Sequence, residues 1–438
     1  MGSFVPTTPS ERQQMLKTIG VGSVEELFRD VPQEMRIDGY LDLPSGKSEM
    51  ETLESVSALA EKNHVFRTCL RGAGSYRHYI PAAVKAIVNR EEFVTAYTPY
   101  QAEISQGILQ AIFEYQTMLC ELTGMDVSNA CVYDGGTAAA ESITMCRDRK
   151  RTKAYVSATT DPQVIEVMKT YCFGSDVELT VVPQKDGRTD PEALRSLLGQ
   201  DAACFYVQQP NFYGLLEEAE LLGEITHAAG AKYVMGVNPI SLAILKTPAE
   251  CGADVAVGEG QPLGLDTAFG GPYLGFMTAS SAMMRKLPGR IVGQTVDTEG
   301  EIGYVLTLSA REQHIRREKA SSNICSNEQL CAFTAAVYLS AMGEKGLWQA
   351  ATLCTSKAHY FAQQLEEKLG WKRVHPGEFF HEFVTECPDT EKALAALAKR
   401  DILGGLPVEG GILWCVTEVV TKERLDEAVA ILQEVSCG

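Results

Sequence analysis

Hydrophobic and polar positions follow different periods along the chain, and the first change of period comes near residue 64. Before that point the pattern is helical, and it predicts helices over residues 10–19, 23–29 and 48–62, with a stretch rich in proline and glycine before the last of them. Short helices separated in this way predict an N-terminal helical arm, residues 1–63.

From residue 131 onward, short apolar runs alternate with helical segments. Amphipathic helices separate most of these runs, which read CVYD, KAYVSA, VELTVVP, CFYVQQP, KYVMGV and DVAVGE. A helical pattern over residues 104–122 comes before them, and the run YLGFMTAS at 273–280 comes last. Strands and helices alternating at this pace predict βαβ units in a doubly wound α/β sheet. The predicted large α/β domain spans residues 64–325.

The last third of the chain has a mixed pattern. Ser326 and Gln329 form a capping box that opens a helix, which is predicted to stop near Gly343, and a longer helix follows over residues 347–369. The alternating runs FFHEFVTE and GILWCVTE predict strands, each followed by a helical segment. This region, residues 326–438, is predicted to be a small α+β domain.

Composition excludes several classes of function. The 438 residues include 39 basic and 57 acidic ones, so the formal net charge is −18, which argues against a nucleic-acid partner. No apolar run is long enough to span a membrane, and the N-terminal sequence lacks the apolar segment of a signal peptide. The thirteen cysteines contain no C-x-x-C pair, which favours reduced thiols in a cytoplasmic protein over disulfides or a metal site.

Two glycine-containing turns follow predicted strands. The segment Asp134-Gly135-Gly136-Thr137 opens a helix, and it fits either a phosphate-binding helix start or a simple tight turn. In the segment QPNFYG, Asn211 is placed either to hydrogen-bond a ligand or to form an Asx-type turn.

Two other segments concentrate polar side chains. The first covers residues 96–107, and its candidate site residues are Tyr97, Thr98, Tyr100, Gln101, Ser105 and Gln106. The alternative is that its tyrosines belong to the core. The second leads from residue 311 to residue 324, and its candidates are Arg311, His314, Arg316 and Asn323. Here the alternative is a solvated helix face in which Glu312 pairs with Arg316.

Several long and irregular segments of the sequence are specific enough to compare with known families. They are the string AYTPYQAEISQGILQAIFEYQTMLCELTGMDVSNACVYDGGTAAAES, residues 257–275, GFMTAS, LPGRIV and REQHIRREKASSNIC. In these segments the chain resembles the P-protein family of the glycine cleavage system, the glycine decarboxylases. The resemblance covers most of the chain from about residue 65 to 330. The length fits one half of a full-length member, so the chain resembles the alpha subunit (subunit 1) of the family's split form.

The resemblance implies a fold type I pyridoxal-phosphate enzyme, with a large domain, a small C-terminal domain and an arm. Such enzymes use a lysine for the Schiff base and an acid beside the pyridine nitrogen. Here no lysine follows DVAVGEGQPLG, Asn238 stands where the acid is expected, and Asp161 lies where a stacking histidine is expected. We therefore expect no covalently bound cofactor on this chain, only a vestigial pocket formed by Gly135, Gly136, Thr137, Asn211 and Asn238.

The resemblance also implies partners. The expected complex is an α2β2 assembly in which a beta subunit (subunit 2) holds pyridoxal phosphate. Glycine is decarboxylated there, and its aminomethyl group passes to the lipoyl arm of H-protein; T-protein and L-protein act in the same system. The 97–106 candidates are expected to complete the shared pocket, and the 311–323 candidates to contact the glycine carboxylate or the interface. No metal, nucleic acid or membrane is expected. The alternatives are a non-catalytic scaffold and an autonomous fold type I decarboxylase or aminotransferase.

Overall fold

A computed structural model describes residues 6–37, 39, 41–320, 322–324 and 327–436. The chain divides into two compact units, Met1–His64 and Val65–Gly438. The predicted division of the second unit into residues 64–325 and 326–438 stays a prediction, as does the arm boundary at residue 63.

The first unit contains two capped helices. Helix α1 (Pro9–Ile19) begins with a capping box formed by Thr8 and Glu11, and α2 (Glu49–Ala60) begins with the same arrangement of Ser48 and Glu51. Single turns of 3-10 helix, Glu25–Phe28 and Gln33–Met35, lie between them. No residue of α1 or α2 is buried, so neither helix has a covered apolar face.

The helices and strands of the second unit confirm the alternating pattern except at the run CVYD, where Val132 forms only an isolated bridge to Gly275. Its helices are α3 (Ala82–Val88), α4 (Glu91–Val94), α5 (Gln106–Thr123), α6 (Gly135–Cys146), α7 (Pro162–Gly174), α8 (Pro191–Leu197), α9 (Ala219–Ala228), α10 (Gln313–Arg316), α11 (Gln329–Leu369), α12 (Thr390–Ala398) and α13 (Lys422–Ser436). Its strands are β1 (Thr68–Cys69), β2 (Val127–Ser128), β3 (Lys153–Ser157), β4 (Leu179–Val182), β5 (Gln184–Lys185), β6 (Arg188–Thr189), β7 (Ala202–Gln209), β8 (Lys232–Val237), β9 (Val255–Glu259), β10 (Gly275–Ala279), β11 (Ile291–Val296), β12 (Ile302–Thr307), β13 (Glu382–Thr385), β14 (Ile402–Leu403), β15 (Leu406–Val408) and β16 (Gly411–Cys415).

A seven-stranded sheet with the order β2-β10-β9-β8-β7-β3-β4 forms the centre of this unit. Successive residues of β7 point into different cores: Phe205 and Val207 join one buried cluster, whereas Cys204 and Tyr206 join another. Because side chains alternate across a strand, both faces of the sheet are covered. This is the predicted doubly wound arrangement.

The last strands of the sheet depart from the parallel pattern. Strands β4, β3, β7, β8 and β9 are mutually parallel, but β10 pairs antiparallel with both β9 and β2. The chain between β9 and β10 contains no helix, so it makes a direct return instead of a crossover. The run YLGFMTAS was correctly placed in the sheet, but apolar content alone does not define strand direction.

The C-terminal part of the unit carries a second sheet and a bent helix. Strands β13, β16 and β15 pair antiparallel, and β14 pairs with β1 from the start of the unit. Helix α11 is interrupted at Gly343 (φ +59°, ψ −178°), which confirms the predicted stop. The predicted N-cap Ser326 lies outside the described residues; the N-cap is Glu328, whose side chain makes no capping bond.

The sequence pattern assigned no element to the hairpin of β11 and β12. These strands pair in register from Ile291–Thr307 to Val296–Ile302, and the side chain of Asp297 accepts backbone N–H groups in the turn. None of the helices in the described part of the chain combines the length and apolar composition needed to cross a membrane.

Candidate functional site

A cavity of about 380 Å³ lies where several strands of the central sheet end. It is bordered by residues at the carboxyl ends of β7, β8 and β9, and by the N-terminal turns of α6 and α7. Open α/β sheets bind ligands at this edge. The cavity is therefore the position that the fold offers for a cofactor.

Two carboxylates cap the start of α6, where a phosphate would bind. The N–H of Gly135 donates to Oε2 of Glu259 at 2.9 Å, and the N–H of Thr137 donates to Oδ1 of Asp134 at 2.7 Å. Gly135 allows this approach, since a Cβ there would lie 2.9 Å from the Cβ of Glu259. The helix N-terminus thus already holds negative charge from the chain itself.

Glu259 is the last residue of β9, and its carboxylate makes further backbone contacts. Oε1 accepts the N–H of Gln261 at 2.8 Å and the N–H of Leu274 at 3.0 Å. Burial raises the pKa of Glu259 to about 7. Sequence reasoning missed this residue, and the only available signal was an acid at the end of the apolar run DVAVGE.

Of the five residues predicted for a vestigial pocket, Gly135, Gly136 and Asn238 border the cavity. Thr137 and Asn211 are not among the described residues that line it. Asn211 is buried, and its side chain donates to Gly187 and Glu217 and accepts the N–H groups of Tyr213 and Leu215. These contacts stabilise the turn itself.

The lining of the cavity also contains a buried acid and a buried histidine. Glu382 accepts the N–H of Ala73 at 2.7 Å and the hydroxyl of Tyr76 at 2.8 Å, and burial raises its pKa to about 7. Ala73 has a left-handed backbone (φ +58°), a strained conformation that the contact with Glu382 helps to hold. The His381 ring packs at a tilt of 48° against the Tyr76 ring, with 4.7 Å between the ring centroids. Burial lowers the pKa of His381 to about 3, so its ring is neutral.

The residues present do not fit pyridoxal phosphate. Four acids border the cavity, namely Asp134, Asp161, Glu259 and Glu382. Across the described residues, no lysine or arginine lines it. A Schiff base requires a lysine amine, and the cofactor phosphate would meet carboxylates in place of free N–H groups.

The acids of this cavity should make stability depend on pH. The folded-state pKa of Glu382 lies above the ordinary value of 4.5, so between pH 4.5 and about 7 the folded state binds more protons than the unfolded state. Its contribution to stability therefore falls as pH rises through this window. Because glutamine cannot ionise, we expect Glu382→Gln to gain in melting temperature relative to the parent from pH 5 to pH 8. The exposed control Glu366→Gln should keep a constant offset, and equal slopes for E382Q and the parent would contradict the assignment.

The predicted loop at residues 97–106 lies on the β11–β12 hairpin. The side chain of Gln106 donates to the carbonyl of Tyr304 at 2.9 Å and accepts its N–H at 2.8 Å. The Arg290 guanidinium stacks 4.5 Å from the Tyr100 ring, whose hydroxyl donates to Asn327. Tyr100 and Gln106 thus hold the loop in place.

The remaining loop candidates face outward. The Tyr97 side chain is 84% exposed, and Thr98 and Gln101 are also exposed. Ser105 is half-buried at the start of α5, where its hydroxyl forms no capping bond. A firmly held loop thus presents exposed polar and aromatic groups.

The second predicted segment reaches the same region. Glu312 forms an ion pair with Arg290, so the Arg290 side chain joins this segment to Tyr100. In the alternative interpretation Glu312 paired with Arg316, whose Nε instead donates to the carbonyl of Ala310 at 3.3 Å. The structure therefore brings together two segments that are about 200 residues apart.

The candidates in this second segment differ in their hydrogen bonds and in their exposure to solvent. Arg311 donates to the carbonyls of Leu287 and Gly289, and burial lowers its pKa. His314 lies 3.7 Å from Glu312 and is more than half exposed, and Asn323 is exposed. None of the candidates at 97–106 or 311–323 is among the described residues that border the cavity. Their roles in a site stay predictions.

Two buried groups and one partly buried carboxylate, far apart in sequence, form one further cluster. His78, Cys354 and Glu418 place potential metal-ligand atoms within 4.8 Å of one another. The Glu418 carboxylate is hydrogen-bonded to His78 at 2.7 Å and accepts from the Cys354 thiol at 3.3 Å and the N–H of Tyr79 at 2.6 Å. Lys357 donates to the backbone carbonyl of Glu418. These contacts link the segment before α3 to α11 and the loop after β16.

Comparison with known proteins identifies the family. The model of the family described as "Glycine cleavage system P-protein" matches residues 2–432. The chain belongs to this family. "Probable glycine dehydrogenase (decarboxylating) subunit 1" of Desulfitobacterium hafniense is 47% identical over 99% of the chain and 100% of that protein. The protein of the same name from Syntrophomonas wolfei is 48% identical over 98% of each chain.

Solved structures agree with this P-protein assignment. A crystal structure of glycine decarboxylase (P-protein) of the glycine cleavage system, in inhibitor-bound form, is similar with a TM-score of 0.92 and 41% identity over 99% of this chain and 100% of that one. An alanine–glyoxylate aminotransferase from Nostoc is similar with a TM-score of 0.58 at 17% identity, covering 84% of this chain and 95% of that one. The second likeness concerns the fold alone, and it confirms the predicted fold type I architecture.

Proposed function

We propose that this P-protein chain is the alpha subunit of a glycine decarboxylase, and that a beta subunit holds the pyridoxal phosphate. The observation that carries the proposal is a cofactor position bordered by four carboxylates, with no lysine or arginine among its described lining residues. A family member with such a pocket needs a partner that supplies the cofactor.

The proposed reaction of the complex is balanced without a further reactant. The bond between the carboxyl and α-carbons of glycine breaks and carbon dioxide leaves. The disulfide of the H-protein lipoyl arm opens, one sulfur bonds to the aminomethyl carbon, and the other becomes a thiol. The T- and L-proteins are proposed to act on this product in later steps.

The arm unit supports the need for a partner. Along α2, Met50, Leu53, Val56 and Leu59 recur at intervals of three residues, and each is more than half exposed, from 57% to 75%. Residues three apart are neighbours on a helix surface, so these four side chains form a continuous stripe that winds around α2. A stripe of exposed large apolar side chains is typical of a surface that is covered in an assembly. We propose that the beta subunit covers it, in an α2β2 complex.

The loop at residues 97–106 supports a shared site. Tyr97, Thr98 and Gln101 are exposed, while Tyr100 and Gln106 hold the loop against the hairpin. A fixed loop with a free polar tip can place hydrogen-bonding groups in a neighbour's pocket without a further ordering cost. We propose that it completes the active site of the beta subunit.

A reconstitution experiment tests this function. The chain, its beta subunit and lipoylated H-protein are combined with pyridoxal phosphate, and exchange of glycine carboxyl with labelled bicarbonate is measured. We expect exchange only when both subunits are present, and borohydride should trap the cofactor on a lysine of the beta subunit. Exchange by this chain without its partner, or cofactor trapped on one of its own lysines, would contradict the proposal.

A further inference from the structure

The cavity at the strand ends has the charge of a cation site. Asp161 and Glu382 are 7% and 4% exposed, and both border this cavity. The Asp161 charge also contributes to the raised pKa of Glu382. Asp134 and Glu259 add two carboxylates beside the start of α6. No lysine or arginine of the described residues borders the cavity, so its lining supplies no cationic side chain to these four carboxyl groups.

Unsatisfied polar atoms also border this cavity. His381 is 2% exposed, yet neither of its ring nitrogens has a hydrogen-bond partner within the described structure. The side-chain nitrogen of Asn238 is likewise buried without an acceptor, although its oxygen accepts the N–H of Ile240. Buried polar atoms of this kind are normally satisfied, so they indicate a missing partner.

We propose that this cavity binds a primary ammonium group, with Asp161, Glu382 and the His381 ring as its acceptors. An ammonium group has three N–H donors and a single positive charge, which suits two carboxylates and a neutral imidazole. This inference depends only on residues of this chain, and it goes beyond the proposed decarboxylase function.

The geometry favours an ammonium group over a hard metal ion. Mg²⁺ and Ca²⁺ need several oxygens that are free to coordinate. Here both oxygens of Glu259 accept backbone N–H groups, and each oxygen of Glu382 also accepts a donor. Asp161 accepts the N–H of Gln163 through Oδ1, and its Oδ2 would lie 3.0 Å from a Cβ at Gly74, so a glycine keeps this side of the carboxylate open.

Two sources could supply the ammonium group: a free primary amine or a lysine side chain of the beta subunit. Both sources present the same ammonium group to the cavity. Titration of the chain with and without the beta subunit distinguishes them. The probe is methylammonium chloride at constant ionic strength, followed by isothermal titration calorimetry and by the melting temperature. Glycine, inorganic phosphate and magnesium chloride are titrated in parallel.

We expect methylammonium to bind the free chain saturably and to raise its melting temperature. Phosphate and glycine should neither bind nor stabilise the chain, because their negative groups would be repelled by the same carboxylates. Asp161→Asn and Glu382→Gln should each weaken methylammonium binding about tenfold or more, since each removes a charged acceptor. The surface control Glu366→Gln should bind as the parent does. Far-ultraviolet circular dichroism checks that the two pocket variants remain folded.

Titration of the reconstituted complex then identifies the source. Methylammonium binding that persists in the complex indicates a free amine. Binding that is lost there, together with a carbodiimide-dependent amide between Asp161 or Glu382 and a partner lysine, indicates a side chain of the beta subunit. Tighter binding of phosphate or magnesium than of methylammonium, or methylammonium binding that both pocket variants leave unchanged, would overturn the proposal. None of these results depends on decarboxylase activity, so the two proposals can fail separately.

Discussion

Replacement of Tyr97 by alanine in the reconstituted complex is expected to lower glycine–bicarbonate exchange about ten- to a hundredfold, the range associated with a misplaced positioning group. The side chain is 84% exposed in this chain and is therefore free to contact the beta subunit. Because Tyr100 and Gln106 hold the loop from behind, removal of Tyr97 should leave the chain folded. The measurement is the initial exchange rate at saturating glycine and H-protein.

The matched control is Phe173→Ala, which removes another aromatic side chain that is 90% exposed and lies at the far end of α7 from the cavity. It should exchange at the parental rate. Tyr97→Phe keeps the ring and removes only the hydroxyl, so it separates the contributions of the two groups. Parental exchange by Y97A in an intact complex, shown by size-exclusion chromatography, would favour the non-catalytic scaffold.

The second prediction concerns the stability of the chain and involves Gly214, in the turn that contains Asn211. Its φ is +83°, and a Cβ there would lie 1.9 Å from the carbonyl oxygen of Glu382. The Gly214 carbonyl also accepts the N–H of Phe380, so the turn packs closely against the segment that carries His381 and Glu382. We expect Gly214→Ala to lower the free energy of unfolding by about 3 kcal/mol or more, since left-handed strain and a backbone clash add together.

Gly174→Ala is the control for Gly214→Ala, because the same substitution is expected to be stabilising at this position. Gly174 is the last residue of α7, and a Cβ there meets no atom within 4 Å. Alanine should raise the stability by about 0.5–1 kcal/mol, the usual gain over glycine in a helix. Urea unfolding followed by circular dichroism measures both variants. A Gly214→Ala protein as stable as the parent would show that the turn can move away from Glu382.

Periodicity was sufficient for most strands of the central sheet, but it missed β2 and predicted a strand at CVYD, where Val132 forms only an isolated bridge to Gly275. Runs such as CFYVQQP and KYVMGV were recognised as strands because a strand covered on both faces is apolar throughout. The stop at Gly343 was predicted since glycine is the residue that most readily adopts a left-handed helix end. The β11–β12 hairpin was missed because its strands are partly exposed, and their mixture of glycine and polar residues resembles a loop.

Strand direction could not be predicted in the same way. An apolar run has the same composition whether its neighbour is parallel or antiparallel, so β10 was included in the sheet without its orientation. The direction of β10 depends on the segment that connects it to β9. Residues 260–274 form no helix in the structure, so the chain returns directly and β10 runs antiparallel to β9.

The sequence by itself determined what the cofactor position lacks, since no lysine follows DVAVGEGQPLG and an amide, Asn238, replaces an acid. Only the tertiary structure decided what the position contains. Glu259 ends β9, and the adjacent His381 and Glu382 come more than 100 residues later, so no local pattern marks Glu259 as their neighbour. The meeting of strand ends at one edge of the sheet brings these side chains together, and their shared burial sets their charge.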